Sequence, residues 1–139
     1  MGFLRPKGRQ FSKPVARGSA VEAHVVAALV RSGYLPLRPV LDGGRYDLVI
    51  EDAEGQFWRI QVKTGRYKNG SIEFHTRSTH IQGGYRGQAD YFAVYSPDLD
   101  KTYLIAVGEV REAWANLRVD AVGKFTAKSR VRWAQDYEL

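Results

Sequence analysis

Two strand-like runs joined by a tight turn constrain this chain more than any other feature. Tyr46 to Glu51 and Gln56 to Lys63 are rich in apolar and β-branched side chains, and only Asp52-Ala53-Glu54-Gly55 stands between them, with the turn at Glu54-Gly55. So short a link joins antiparallel neighbours, because a parallel pair needs a crossover of about a dozen residues or more. Thirteen residues lie between Asp47 and Gln61, enough to finish one strand, turn and return, so these two positions become neighbours. Alternation along the second strand puts Arg59, Gln61 and Lys63 on one face and Trp58, Ile60 and Val62 on the other. The expected division is one face for core and one for chemistry.

The remaining elements are read around this hairpin. Residues 1 to 17 hold glycine, prolines and cations without apolar periodicity, which predicts a flexible basic arm ahead of a single domain over residues 18 to 139. Ser19 reads as an N-cap, with Glu22 three positions later. Val21, Val25, Ala28 and Leu29 follow at helical spacing, and Gly33 supplies the stop. Tyr34 to Val40 predicts an edge or irregular strand, because it contains Pro36 and Pro39. Gly65 to Gly70 reads as a polar loop, Ser71 to Phe74 as a short strand and residues 75 to 89 as irregular. Tyr91 to Tyr95 and Thr102 to Val107 predict a second hairpin across Ser-Pro-Asp-Leu-Asp-Lys. Glu109 to Leu117 predicts a helix with Val110, Ala113, Trp114 and Leu117 on one stripe. This order implies an α/β fold, a mixed sheet flanked by helices, rather than a doubly wound one.

Composition narrows the function. At 139 residues and 44% hydrophobic content the chain suits one domain with a real core. No apolar stretch approaches a membrane span, and the basic N-terminus is not followed by the apolar segment of a secretory signal. The expected compartment is therefore cytoplasmic, at the nucleoid or in host cytoplasm if the chain is viral. Zero cysteines exclude thiolate zinc sites and cysteine nucleophiles, leaving oxygen ligands and the scattered His24, His75 and His80, which read as structural or surface residues. Net charge is +6, and Arg5, Lys7, Arg9, Lys13 and Arg17 all precede the first acid, Glu22. A second basic group, Arg59, Lys63, Arg66 and Lys68, surrounds the hairpin, with Tyr67 and Tyr85 interleaved. Such clusters suit phosphate neutralisation with counterion release. A solvated basic surface is the plainer alternative.

Phosphodiester hydrolysis needs a positioned water, charge stabilisation on the phosphoryl oxygens and help for the leaving alkoxide, all of which a hard divalent cation can supply. Mg²⁺ takes one or two carboxylates with carbonyl oxygens and waters. Asp47, Glu22 and the Gln61 amide oxygen are the candidate ligands, and Mn²⁺ is expected to substitute. Lys63, two residues beyond Gln61, would act electrostatically near the water or the phosphate. Taken singly, each residue has a plain reading: Glu22 as the partner of Ser19 in a capping box, Asp47 as a loop-edge acid, Gln61 and Lys63 as solvated strand positions.

At these residues the chain resembles the PD-(D/E)XK nuclease superfamily, and within it the archaeal-type Holliday junction resolvases. The resemblance runs through Arg17-Gly18-Ser19-Ala20-Val21-Glu22, Gly33-Tyr34, Arg45-Tyr46-Asp47-Leu48-Val49-Ile50 and Gln61-Val62-Lys63. It implies a restriction-endonuclease-like fold and a catalytic set of Glu22, Asp47, Gln61 and Lys63. The metal would lie on Glu22, Asp47 and Gln61, and Arg17 would contact DNA ahead of the catalytic helix. Arg9, Lys13, Arg45, Arg66 and Lys68 complete the expected DNA-binding set. Two departures stand out. Gln61 replaces the customary glutamate, a substitution shared with certain group I intron homing endonucleases, and Ala23 stands where resolvases place an arginine.

The first expectation is thus a homodimeric resolvase cutting four-way DNA junctions in recombination and repair, with Mg²⁺ as cofactor. A sequence-specific homing or restriction-type endonuclease is the alternative that Gln61 favours. A junction-binding protein without catalysis is the third.

Overall fold

A computed structural model describes residues 4–77, 84–111, 113–121 and 131–139. One helix, α1 (Lys13–Arg31), precedes β1 (Leu35–Leu37), β2 (Leu48–Glu51), β3 (Phe57–Thr64), β4 (Arg66–Lys68) and β5 (Ser71–His75). After these come β6 (Tyr91–Ser96), β7 (Lys101–Ala106), a 3-10 turn at Val107–Glu109, β8 (Trp114–Arg118) and a second 3-10 turn at Ala134–Asp136.

The strands form a five-stranded sheet in the order β1-β2-β3-β6-β7 and a three-stranded sheet in the order β4-β5-β8. Within the larger sheet only β3 and β6 run parallel, so it is mixed, as expected. Its two faces are covered differently. Val21, Val25 and Leu29 of α1 pack on one face against Leu48, Ile50, Ile60 and Ala93. On the other, Phe92, Val94 and Ile105 meet Ile72, Phe74, Ala115 and Leu117 of the smaller sheet. The molecule therefore has three layers, helix, sheet and sheet, and β3 lies in the middle one. Ile60, with Trp58 and Val62 beside it, packs into the core under α1, while Arg59, Gln61 and Lys63 on the other face of β3 are half-buried.

Local chemistry explains most boundaries. Gly33 adopts φ +91 and closes α1, with the Gly33 N–H donating to Val30 and the Tyr34 N–H to Leu29 in a Schellman arrangement. Gly55, at φ +80, turns β2 into β3, while Asp52 accepts from the Glu54 and Gln56 N–H groups. The predicted second hairpin forms with Ser96 opposite Lys101.

Several expectations are corrected. The helix begins at Lys13, not after Ser19, so residues 13–17, assigned to the arm, are its first turns. Ser12 is the N-cap residue and Pro14 lies in the first turn, where its missing N–H costs nothing. Ser19 is consequently interior to the helix and cannot form a capping box with Glu22. The loop expected at residues 65–70 contains β4, paired to β5 across Asn69-Gly70. The helix expected over Glu109 to Leu117 is absent: that stretch holds the end of a 3-10 turn and β8. Ala115 and Leu117 are buried while Trp114 and Asn116 are exposed, a period of two, and Ala113 at φ +86 stops any helix there. The face expected to carry a second helix is covered by sheet instead. Beyond His75, the described part of residues 75–89 is irregular as predicted. His80 lies outside the described residues.

Candidate active site

Asp47 stands at the entrance to β2 and is tied to β3 on both sides of Gln61. Its N–H donates to the Ile60 carbonyl at 2.9 Å, and its Oδ2 accepts from the Val62 N–H at 2.8 Å. The carboxylate is half-buried, and burial pushes its pKa above the usual aspartate value. Glu22 raises it further, against the lowering effects of the Val62 N–H and of Lys63. These influences place Glu22 and Lys63 within electrostatic reach of Asp47. A cavity of about 400 Å³ makes the same grouping, with Glu22, Asp47, Val62, Lys63 and Thr64 in its walls and Pro14, Gly18 and Ser19 of α1 opposite. Residues of the expected arm thus build one side of the site.

Gln61 sits differently. It is half-buried on β3, opposite Phe92 of β6, and is not part of the cavity wall. Its amide makes no hydrogen bond to any described residue. Glu22 accepts from the Arg38 guanidinium, so a cation taken up by Glu22 competes with that arginine.

Lys63 is held by aromatic groups. Its Nζ donates to the Tyr85 hydroxyl at 3.2 Å, lies 4.6 Å from the Tyr85 ring centroid and 6.0 Å from that of Phe92. Tyr85 is itself buried, packed edge-on against Phe92. Sequence reasoning grouped Tyr85 with the basic cluster as an interleaved aromatic and missed this role. Only the fold brings residue 85 to residue 63.

A wider cleft of about 660 Å³ adjoins the first and shares Lys63 and Thr64 with it. Arg66, Lys68, Glu73, His75, Trp114 and Asn116 line it. Of the expected DNA contacts, Arg66 and Lys68 are therefore beside the site. Arg9, Lys13, Arg17 and Arg45 are exposed but line neither cleft. Arg59, grouped with the cations around the centre, is committed elsewhere. Its Nε and Nη2 donate to Asp90 at 3.1 and 2.9 Å, its N–H donates to the same carboxylate at 2.7 Å, and its Nη1 donates to Gly87. These bonds hold the Asp90 pKa below the usual range and fix the loop that presents Tyr85. His24 stacks on Tyr95 at 4.2 Å, away from both clefts.

Comparison with known proteins decides the family: residues 13–139 match the PD-(D/E)XK endonucleases. The chain belongs to the PD-(D/E)XK endonuclease family. Membership makes it a nuclease, a hydrolase acting on DNA, from a family that generally uses divalent metals such as Mg²⁺. The fold agrees with that of a bacterial homing endonuclease, I-Ssp6803I, at a TM-score of 0.64 and 23% identity over 93% of this chain and 88% of that one. No curated protein matches the sequence. No helix among the described residues is long and apolar enough to cross a membrane.

Among the described residues, no three His, Cys, Asp or Glu side chains cluster as a metal site, in keeping with glutamine at position 61 of this PD-(D/E)XK chain. Two carboxylates, Glu22 and Asp47, remain at one cavity. A hard cation that keeps several waters needs one or two such groups, so the pair fits Mg²⁺ or Mn²⁺ and does not suit a thiophilic metal.

Proposed function

We propose that this PD-(D/E)XK chain is a metal-dependent endonuclease that cuts linear duplex DNA at a preferred sequence, in the manner of a homing enzyme. The observation that carries the catalytic part is the cavity shared by Glu22, Asp47 and Lys63, which opens at Lys63 into a cleft bearing Arg66 and Lys68. A scissile phosphate beside Lys63 would have its flanking phosphates within the reach of further cations. The sequence-specific part draws support from Gln61 and from the likeness in fold to a homing endonuclease.

Glu22 and Asp47 would hold the divalent cation, with Gln61 a further oxygen donor if its free amide turns toward them. When bound, the cation supplies charge stabilisation and a water of lowered pKa. The remaining chemistry belongs to the chain. Asp47, anchored through the Val62 N–H, cannot swing away from β3. Lys63, steadied by Tyr85, brings a fixed positive charge to the phosphoryl oxygens.

Junction resolution is the second reading, favoured by the resemblance around Arg17 to Glu22 and by the exposed cations before α1. A homodimer would serve it, because two symmetric cuts need two sites related by a dyad. End-labelled linear duplexes and a four-way junction, each incubated with Mg²⁺ and with EDTA, separate the two. Discrete Mg²⁺-dependent cuts in linear DNA are expected. Paired nicks confined to the junction would establish the resolvase instead, and binding without cleavage under any divalent ion would leave a catalytically silent DNA-binding protein. Lys63→Ala is expected to lower the cleavage rate about 100-fold or more, and wild-type turnover by that variant would remove Lys63 from the site.

A further inference from the structure

The β4-β5-β8 sheet turns its inner face, Tyr67, Ile72, Phe74, Ala115 and Leu117, into the core. Its outer face carries polar groups in register. Arg66 stands opposite Glu73, and Glu73 opposite Asn116, so one row crosses all three strands. Lys68 lies beside this row, and His75 pairs with Trp114 at its end, the rings 3.6 Å apart with Trp114 55% exposed. Among the described residues, the side chains of Arg66, Lys68, Glu73 and Asn116 make no hydrogen bond or ion pair. Donors and acceptors of both kinds are thus presented together and unused.

The carboxylate is the informative member. A surface that only grips phosphates gains from every cation and loses from an acid in its midst. Glu73 is half-buried between strands bearing Arg66 and Asn116, and it lines the cleft that leads to Lys63. The nucleic-acid group that a carboxylate recognises is an exocyclic amine, above all cytosine N4. Asn reads adenine and Arg reads guanine at the same groove edge. Strands about 4.8 Å apart put the axes of β4 and β8 roughly 10 Å from each other, with β5 and its Glu73 midway, so β5 is the strand that lies along the centre of a major groove about 12 Å wide.

We propose that the outer face of the β4-β5-β8 sheet enters the DNA major groove and reads base sequence through the Arg66–Glu73–Asn116 row, with Glu73 selecting cytosine. This rests on the duplex-cutting reading above and names the surface that would give it specificity. Shape-selective junction binding would leave Glu73 without a role, since backbone contacts position a duplex but carry no sequence information.

The test is selection of bound duplexes from a randomised linear pool, with Ca²⁺ in place of Mg²⁺ so that binding is read without cutting. Wild type is expected to yield a preferred sequence. Glu73→Gln should lose the preference for cytosine at one position by about tenfold while its affinity for random DNA rises, because a negative charge has been removed. Asn116→Ala should relax a neighbouring position, thermal melting should show both variants folded, and Glu54→Gln, at the remote β2–β3 turn, should leave the preferences as in wild type. Unchanged base preferences in both face variants, or no preference in wild type, would overturn the proposal. Cleavage with Mg²⁺ is scored separately. A selected sequence that is bound but never cut removes the nuclease reading and leaves the reading face. Cutting without any base preference does the reverse.

Discussion

Asp47 shows how one side chain can be placed for chemistry at a cost to the fold. A carboxylate whose folded pKa is raised by burial favours the protonated form. Its contribution to stability is therefore full below the ordinary value of 3.8 and is lost as pH rises through the higher folded value. At neutral pH the folded chain holds an ionised, half-buried acid beside a second one, Glu22, and a bound cation would relieve both. Asp47→Asn keeps an oxygen for the Val62 N–H and removes the charge. It is expected to abolish cleavage yet raise Tm at pH 7 in EDTA, with the difference closing below pH 3.8. Melting curves across pH check this, and a variant less stable than wild type at neutral pH would show that the charge is compensated by something other than metal. Tyr85 makes a complementary case at Lys63. Tyr85→Phe keeps the ring beneath the ammonium and deletes the 3.2 Å hydrogen bond, worth about 1 kcal/mol. Cleavage should fall about fivefold and Tm by about 2–5 °C, whereas an unaltered rate would reduce Tyr85 to packing.

At the scale of elements, the connection between β3 and β4 decides whether the site and the cleft stay joined. Gly65 is its single link: the Gly65 N–H donates to the Tyr95 carbonyl at 2.7 Å, and a Cβ there would lie 2.5 Å from Ile72 Cγ2 and 2.7 Å from Val94 Cγ1. Both neighbours are fully buried, so neither can yield cheaply. Gly65→Ala is expected to destabilise by about 1–3 kcal/mol, read as a lower urea midpoint, and a neutral result would mean that the sheets can separate without loss. The sequence made the hairpin at β2 and β3 readable, because its turn, alternation and apolar runs agree, and Asp47 was placed correctly beside Gln61 for that reason. It also marked Gly33 as the end of α1. Three features were harder to read. The start of α1 was misjudged because Lys13 to Arg17 lack apolar residues at a helical period, although Ser12-Lys13-Pro14 is a good N-terminal signal. Asn69-Gly70 is the strongest short hairpin signal there is, yet the cationic character of Arg66 to Lys68 hid the strand before it. β8 read as a helix because Val110, Ala113, Trp114 and Leu117 happen to fall three and four apart. Only pairing with β5 reveals that Ala115 and Leu117 are the buried set, a tertiary override of local pattern. The same limit hid Tyr85 from the site: a contact across 22 residues of sequence leaves no local trace.

The whole molecule carries a net charge of +6, but its cations are not equivalent. Arg59 is consumed by Asp90, Arg38 by Glu22 and Lys101 by Glu138, and these contribute little to a field felt by DNA. Arg66 and Lys68 face the cleft. Arg5, Lys7 and Arg9 precede α1 on exposed chain without regular structure, and a cation on such a segment gains from ordering on a polyanion what it loses in chain entropy. The helix start sets where a clean truncation ends: removing residues 1–11 spares Ser12 and Pro14, and with them the cavity wall formed by α1. Each phosphate contact contributes about 0.9 to the slope of log K against log salt. Loss of Arg5, Lys7 and Arg9 should therefore flatten that slope by roughly 2.7 and weaken binding most at low salt, while base preference, if set by the β4-β5-β8 face, stays as it is. Fluorescence anisotropy over a salt series measures the first and selection from the randomised pool the second. A slope that does not change would free the segment from any part in binding. A changed base preference would move sequence reading from the sheet to the arm, as expected of a segment that inserts into the minor groove.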